Sequence, residues 1–390
     1  MREAIVGRQT YLAVVSVAHG WIHWYNQAFY VILPFLALEH GFSNSQAGLL
    51  VAFQSLMVAI INLPAAMFTD TLGLRRIVLA TSLLWPAVGY VVLGIPGSIV
   101  LLAVGSLAIA AGNAQWHPPA MSSLVDHFPN KKGMALSVHE LGANLGDFMA
   151  PLGVGLAIDL LGGWRAAIGL NTVPGLVLAL GVWVLVRDEV RRASTVDWQS
   201  YWKGVRELVV HPVVLALGGI SALRTMGQIA LLAFLPLYLV RGLGMSGATA
   251  GVYISALTAA SLVTGPVMGT MSDRFGRKPV MVFGLLAAGA VMVALTPLRA
   301  GLLFLVALFG IGLFLFSMRP VIFAYLADIV PPELGATSVG VLFTANMAFS
   351  ALAPVVAGLV SDHFGLEAAF LVAGAMLVLS GLLALTLPRR

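Results

Sequence analysis

Residues 269–278 read Gly269-Thr-Met-Ser-Asp273-Arg274-Phe-Gly276-Arg277-Lys278, a knot of charge set between two long apolar runs. The runs on either side, near 247–270 and 278–297, are each long enough to cross a bilayer as a helix, which takes about 20 residues. The knot therefore reads as a loop at a membrane surface. The same alternation of apolar run and charged break extends along the whole chain. Of 390 residues 59% are hydrophobic and only 9% charged, with a mean hydropathy of +0.97. Soluble domains carry about 25% charged residues, so lipid is the solvent that suits this composition. In lipid every backbone polar group needs an internal partner, which leaves helices or closed barrels. Barrel strands alternate polar and apolar positions, whereas these runs are unbroken, so the fold class is all-α and integral to the membrane.

The breaks predict twelve spans, near 10–38, 45–68, 76–95, 98–125, 132–159, 164–186, 212–240, 247–270, 278–297, 301–328, 335–361 and 366–387. Six fall in an N-terminal bundle, 1–187, and six in a C-terminal bundle, 212–390. A polar linker, 188–211, joins them and reads as a surface helix through Trp198, Tyr201 and Trp202. Sixteen Lys and Arg lie on the side of the termini, three on the other side, and two inside spans, which accounts for all 21. That bias places both termini in the cytoplasm and the chain in the cell (inner) membrane as a multi-pass protein. The net charge of +5 sits at helix ends, with no basic cluster that would track nucleic acid. With no cysteine, disulfides and thiolate metal sites are excluded. The first run carries His19, His23 and Asn26 and lacks a small-residue cleavage site, so it reads as a span rather than a leader. No cofactor site is read, and a monomer is expected.

The two halves repeat. Asp70-Thr-Leu-Gly73 recurs as Asp273-Arg-Phe-Gly276 and Asp159-Leu-Leu-Gly162 as Asp362-His-Phe-Gly365, both 203 residues on. Pro34 pairs with Pro236, Pro118 with Pro320, Asp126 with Asp328 and Gly133 with Gly335, at 202. One register held over six landmarks marks parallel structural repeats. The 269–278 loop resembles the G-x-x-x-D-R-x-G-R-K signature of the major facilitator superfamily. Its first-half copy, Ala66 to Arg76, is degenerate: Ala66 replaces Gly, Thr71 replaces Arg and Leu74 replaces a basic residue. From His117-Pro118 to Pro151, and at His19 and Pro34, the chain is similar to the fosmidomycin-resistance-like efflux branch. The resemblance implies two pseudo-symmetric six-helix bundles around a central cavity lined by spans 1, 4, 7 and 10. It also implies a conformational latch at Asp70, Arg75, Asp273, Arg274 and Arg277. The run Gly142-x-x-x-Gly146-x-x-x-Ala150-Pro151 resembles the antiporter motif of drug exporters, although close helix packing alone explains its small residues.

An ionisable residue within a span costs at least ~2.5–3.5 kcal/mol and is a functional candidate by default. Span 1 offers His19, His23, Asn26 and Gln27, span 4 offers Asn113, Trp116 and His117, span 7 offers Arg224 and Gln228, and span 10 offers Arg319. These are the candidate substrate residues. Glu140 and Asp147, two turns apart on span 5, are the candidate proton carriers, and counting depth along the spans allows them to pair with His or Arg. A buried Arg not fully paired suits an anionic ligand. The leading expectation is proton-coupled efflux of a small organic anion, with solute, protons and the bilayer as partners. A rival is movement of a metal ion or chelate, since His19-x-x-x-His23 has ligand spacing and His117 can join it. An enzyme is not expected. His139-Glu140 begins like H-E-x-x-H, but Ala143 stands where the second His belongs. A non-transporting sensor is the remaining alternative.

Overall fold

The computed structural model describes residues 7–72, 74–95, 97–186, 199, 202–203, 206–207, 210–330 and 335–388. Trp198 and Tyr201, and with them most of the expected linker helix, lie outside the described residues, as does the side chain of Asp70. Regular structure among the described residues is entirely helical. The helices of the first half are α1 (Arg8–Glu39), α2 (Asn44–Leu72), α3 (Arg75–Gly94), α4 (Ile99–His127), α5 (Lys132–Leu160) and α6 (Trp164–Leu185). Those of the second are α7 (Pro212–Leu237, continued by a π turn over Tyr238–Gly242), α8 (Gly247–Ala259), α9 (Ser261–Phe275), α10 (Arg277–Leu295), α11 (Leu302–Ile329), α12 (Gly335–Ser350), α13 (Leu352–Phe364) and α14 (Ala368–Ala384). Predicted spans 8 and 11 are thus each broken at one residue, Ala260 and Ala351.

Among the described residues ten helical stretches are long and apolar enough to cross a membrane. The helix α14 is a shorter apolar helix of 17 residues. The helix α1 has 32 residues but falls outside the ten, because His19, His23, Asn26 and Gln27 sit in mid-helix. Large side chains such as Val177, Val184, Phe283 and Leu303 are exposed on outer faces. Water would not tolerate so many of them, and a lipid surround does.

The helices fall into two compact units. Unit 1 comprises 1–36, 57–194 and 246–255, and unit 2 comprises 37–56, 195–245 and 256–390. Each half therefore gives the start of its second helix to the other unit. The helix α3 packs on α4 and α6 in unit 1, and α10 packs on α11 and α14 in unit 2. In unit 1, α1 and α5 approach at backbone distance. A Cβ added at Gly146 would overlap the carbonyl oxygen of Gly20, and one at Gly142 would overlap that of Ser16.

Both transferred helix starts are held the same way. In unit 1 the carboxylate of Asp159 accepts hydrogen bonds from the backbone N–H groups of Gly247 and Ala248, both at 2.9 Å. In unit 2 Asp362 accepts from Asn44 and Ser45 at 2.8 and 3.1 Å. The first N–H groups of a helix lack intrahelical partners, and the helix dipole adds attraction for an anion there. Donor and acceptor are each displaced by one repeat: 362 − 159 and 247 − 44 both equal 203.

Candidate functional site

Unit 1 gathers the polar residues of α1, α4 and α5. The small residues of α5 bring its backbone against α1, so His19 reaches the carbonyl of His139 with Nδ1 at 2.9 Å. The rings of His19 and His139 stack at 3.8 Å, and Trp116 lies parallel to both at 6.1 and 6.2 Å. One turn along, Nδ1 of His23 lies 3.0 Å from a carboxylate oxygen of Asp147, whose other oxygen accepts from Gln27 at 3.3 Å. His117 meets His19 edge-on at 5.2 Å and His23 at 6.1 Å. His19, His139, Gln27 and Trp116 are buried, while His23, His117 and Asp147 are half-buried. Beneath this layer Trp24 donates to Oδ1 of the buried Asn171 at 2.7 Å.

Asn26 and Asn113 are half-buried on α1 and α4, and neither side chain makes a hydrogen bond among the described residues. Glu140 is exposed, one residue after the buried His139. His139, a polar residue of span 5 that stands outside the candidate substrate and proton-carrying residues, organises the cluster through both its carbonyl and its ring. Its signal was one more histidine, four residues before Ala143, on the helix that carries the carboxylates.

Unit 2 is built differently. Arg224 of α7 is 4% exposed and donates to Gln228 Oε1 at 2.7 Å, Thr225 Oγ1 at 2.9 Å and the Leu315 carbonyl at 3.5 Å. Its Nε has no partner, and no carboxylate is paired with it among the described residues. The carboxylate–Arg pair that depth counting allowed is not formed by Arg224, whereas the carboxylate–His pair is, between Asp147 and His23. Arg319 of α11 lies within electrostatic reach of Arg224 and is itself exposed.

The helix-end residues form a matched set. Arg75 donates to Asp126 at 2.9 Å in unit 1, and Arg277 donates to Asp328 at 3.2 Å in unit 2. Both members of the second pair stand 202 residues after those of the first. Arg277 also holds Asp273 in an ion pair and reaches Ser272 Oγ at 2.6 Å. Arg274 lies over the ring of its neighbour Phe275 at 5.6 Å.

The chain is 23% identical over 389 residues to the fosmidomycin resistance protein of Escherichia coli K12, covering 97% of this chain and 92% of that one. A homologue of the multi-drug resistance efflux pump PmrA from Lactococcus lactis is 33% identical over 156 residues, or 38% of each chain. Among solved structures, a bacterial homologue of the lysosomal transporter Spinster, inward-facing and occupied, superposes with a TM-score of 0.85 at 19% identity. That match covers 97% of this chain and 96% of the other. A D-xylose–proton symporter superposes with a TM-score of 0.79 at 16% identity, over 96% and 97%. The family model described as Major Facilitator Superfamily matches residues 15–240 and 217–390, nearly the whole length. The chain belongs to the Major Facilitator Superfamily and is a membrane transporter, not an enzyme.

Proposed function

We propose that the protein is a secondary active exporter of a small organic anion, exchanging it for protons by alternating access. The observation that carries the anion is Arg224. A guanidinium this buried, with an unpartnered Nε, no carboxylate and a second cation in reach, leaves positive charge uncompensated in a low-dielectric setting. A carboxylate or phosphonate would satisfy it through charge-assisted hydrogen bonds, which a planar fork of donors makes in pairs. Gln228 positions the guanidinium and Arg319 adds to the attraction. In unit 1, His19, His23, Asn26, Gln27, Asn113, Trp116 and His117 are the proposed solute-handling residues. Glu140, exposed on α5, and Asp147, two turns further along it, are the proposed proton carriers.

The export direction follows the names of the relatives, a resistance protein and efflux pumps, and the small-residue run of α5. The same likeness supports placing the chain in the fosmidomycin-resistance-like branch. The helices are read as twelve spans in two six-helix bundles, 1–187 and 212–390, counting α8 with α9 and α12 with α13 as single spans. Both termini are assigned to the cytoplasm on the bias of Lys and Arg, within the inner membrane. The paired ends at Arg75, Asp273, Arg274 and Arg277 act as the latch.

Proteoliposomes with an imposed pH gradient test this reading. An organic phosphonate or carboxylate should move against its gradient only while the proton gradient lasts. Arg224→Ala should abolish saturable binding, and Glu140→Gln should leave binding but uncouple flux from the gradient. Unchanged anion affinity in Arg224→Ala overturns the anion assignment, and flux indifferent to the gradient overturns the coupling.

A further inference from the structure

The histidine layer of unit 1, placed above among the solute-handling residues, has a chemistry of its own beside the Arg224 contact that carries the anion reading. One ring nitrogen from each of His19, His23 and His117 lies within 4.8 Å of the other two. The surroundings of two of these rings decide which nitrogen is available. The carbonyl of His139 can only accept, so Nδ1 of neutral His19 carries the proton and Nε2 keeps its lone pair. That Nε2 is buried and has no hydrogen-bond partner, and the residue is 1% exposed. Asp147, steadied by Gln27, accepts from Nδ1 of His23, so a neutral His23 likewise keeps its lone pair on Nε2. A metal-ligating imidazole is ordinarily held by such a partner, a carboxylate or backbone carbonyl on its other nitrogen, which fixes the tautomer and raises ligand basicity.

We infer that His19, His23 and His117 form a binding site for a late first-row divalent metal ion, with the His139 carbonyl and Asp147 as the groups that orient the ligands. Imidazole favours zinc, copper, nickel and cobalt over magnesium and calcium, whose preferred ligands are oxygens. Bound nitrogens lie about 2.0–2.1 Å from zinc and so about 3.3 Å from one another in a tetrahedral site, which asks separations of up to 4.8 Å to close through rotation of the side chains. Three protein ligands leave a coordination position open. Water or an oxygen donor of a chelating solute would fill it. The competing role is packing, since His19 also stacks on the ring of His139 and lies parallel to Trp116. Packing needs only the ring faces, however, and leaves unexplained a buried His19 Nε2 with no hydrogen-bond partner beside two further imidazoles.

The test uses the full-length protein, free of any polyhistidine tag, purified in detergent and stripped with a chelator. Titration with Co²⁺ should give a visible d–d spectrum that saturates at one equivalent and is displaced by Zn²⁺. His19→Ala and His117→Gln should each abolish the spectrum. Asp147→Asn should keep the stoichiometry and weaken affinity by about 10–100-fold, the usual effect of losing a group that orients a metal ligand. Arg224→Ala should leave the metal site intact, so that failure here and failure of the anion reading are separable. If His19→Ala does not fold, as judged by gel filtration, His117→Gln alone decides, since His117 is only half-buried. Absence of a saturating spectrum in the parent protein, or a spectrum unchanged in His117→Gln, overturns the site.

Discussion

The two repeats agree at their helix ends and disagree at their centres. At the ends, Asp159 and Asp362 each cap a helix start from the other half of the sequence, and Arg75–Asp126 is matched by Arg277–Asp328. At the centres, position 19 is a histidine on a backbone carbonyl, while its counterpart Ser221 accepts from Asn346 at 2.7 Å. His23 faces a carboxylate, while its counterpart Thr225 faces the guanidinium of Arg224. Shape is carried by the shared features and chemistry by the differing ones. Function is therefore to be sought where the register holds but the residues change.

The sharpest way to break the comparison is at the glycines of the α1–α5 contact, which have no glycine counterparts where α7 meets α12 in the second half. Gly146 corresponds to Ala348 and Gly20 to Ala222, so the glycine-on-glycine approach belongs to the first half alone. Gly146→Val would drive a side chain into the backbone of Gly20. The expected cost is more than about 3 kcal/mol, beyond ordinary overpacking because the obstruction is backbone. Loss of the folded, monodisperse protein on gel filtration would show it. Ala348→Gly should be tolerated at about 1 kcal/mol or less.

The next effect separates the two arginines of unit 2. Arg224→Gln should weaken anion binding about 100-fold or more, and Arg319→Gln about 10-fold or less, because only the first charge is desolvated. Equal losses in a binding titration would mean that burial does not set the ranking. A smaller effect tests the caps. Asp159→Ala and Asp362→Ala should each destabilise by about 1 kcal/mol, the usual value of a lost N-terminal cap. Thermal unfolding should report near-equal shifts, and a large inequality would mean that the two caps bear different loads.

Much of this organisation was legible in the sequence, for reasons that differ between residues. Apolar runs mark the ten membrane-length helices and the 202–203 register marks the matched helix ends, since both follow from local composition. The breaks at Ala260 and Ala351 were not legible, because neither position carries a proline or glycine to mark it. Helical spacing put His19 and His23 on one face, and depth along α5 put Asp147 beside His23. Depth could not tell that Arg224 would lack a carboxylate, nor that Arg319 and Glu140 would be exposed, since both depend on how helices rotate about their axes. His139 escaped because its main role is played by its backbone carbonyl, which no side-chain pattern records.

The smallest expected effect is also the finest test of the matched ends. Arg75 is buried and Asp126 is its carboxylate partner, with side chains 8% and 25% exposed. In the second copy Arg277 and Asp328 are 19% and 45% exposed, and Arg277 holds Asp273 as well. Removing Asp328 leaves Arg277 with another carboxylate in a more solvated place, so Asp328→Asn should cost less than about 0.5 kcal/mol. Asp126→Asn strips a carboxylate from a buried guanidinium and should cost more, on the order of 1–3 kcal/mol. The difference should persist in high salt, because a buried pair is screened less than an exposed one. Denaturation of the two variants at low and high ionic strength measures it. A larger loss in Asp328→Asn would make the intact loop signature, rather than burial, the source of strength at these ends.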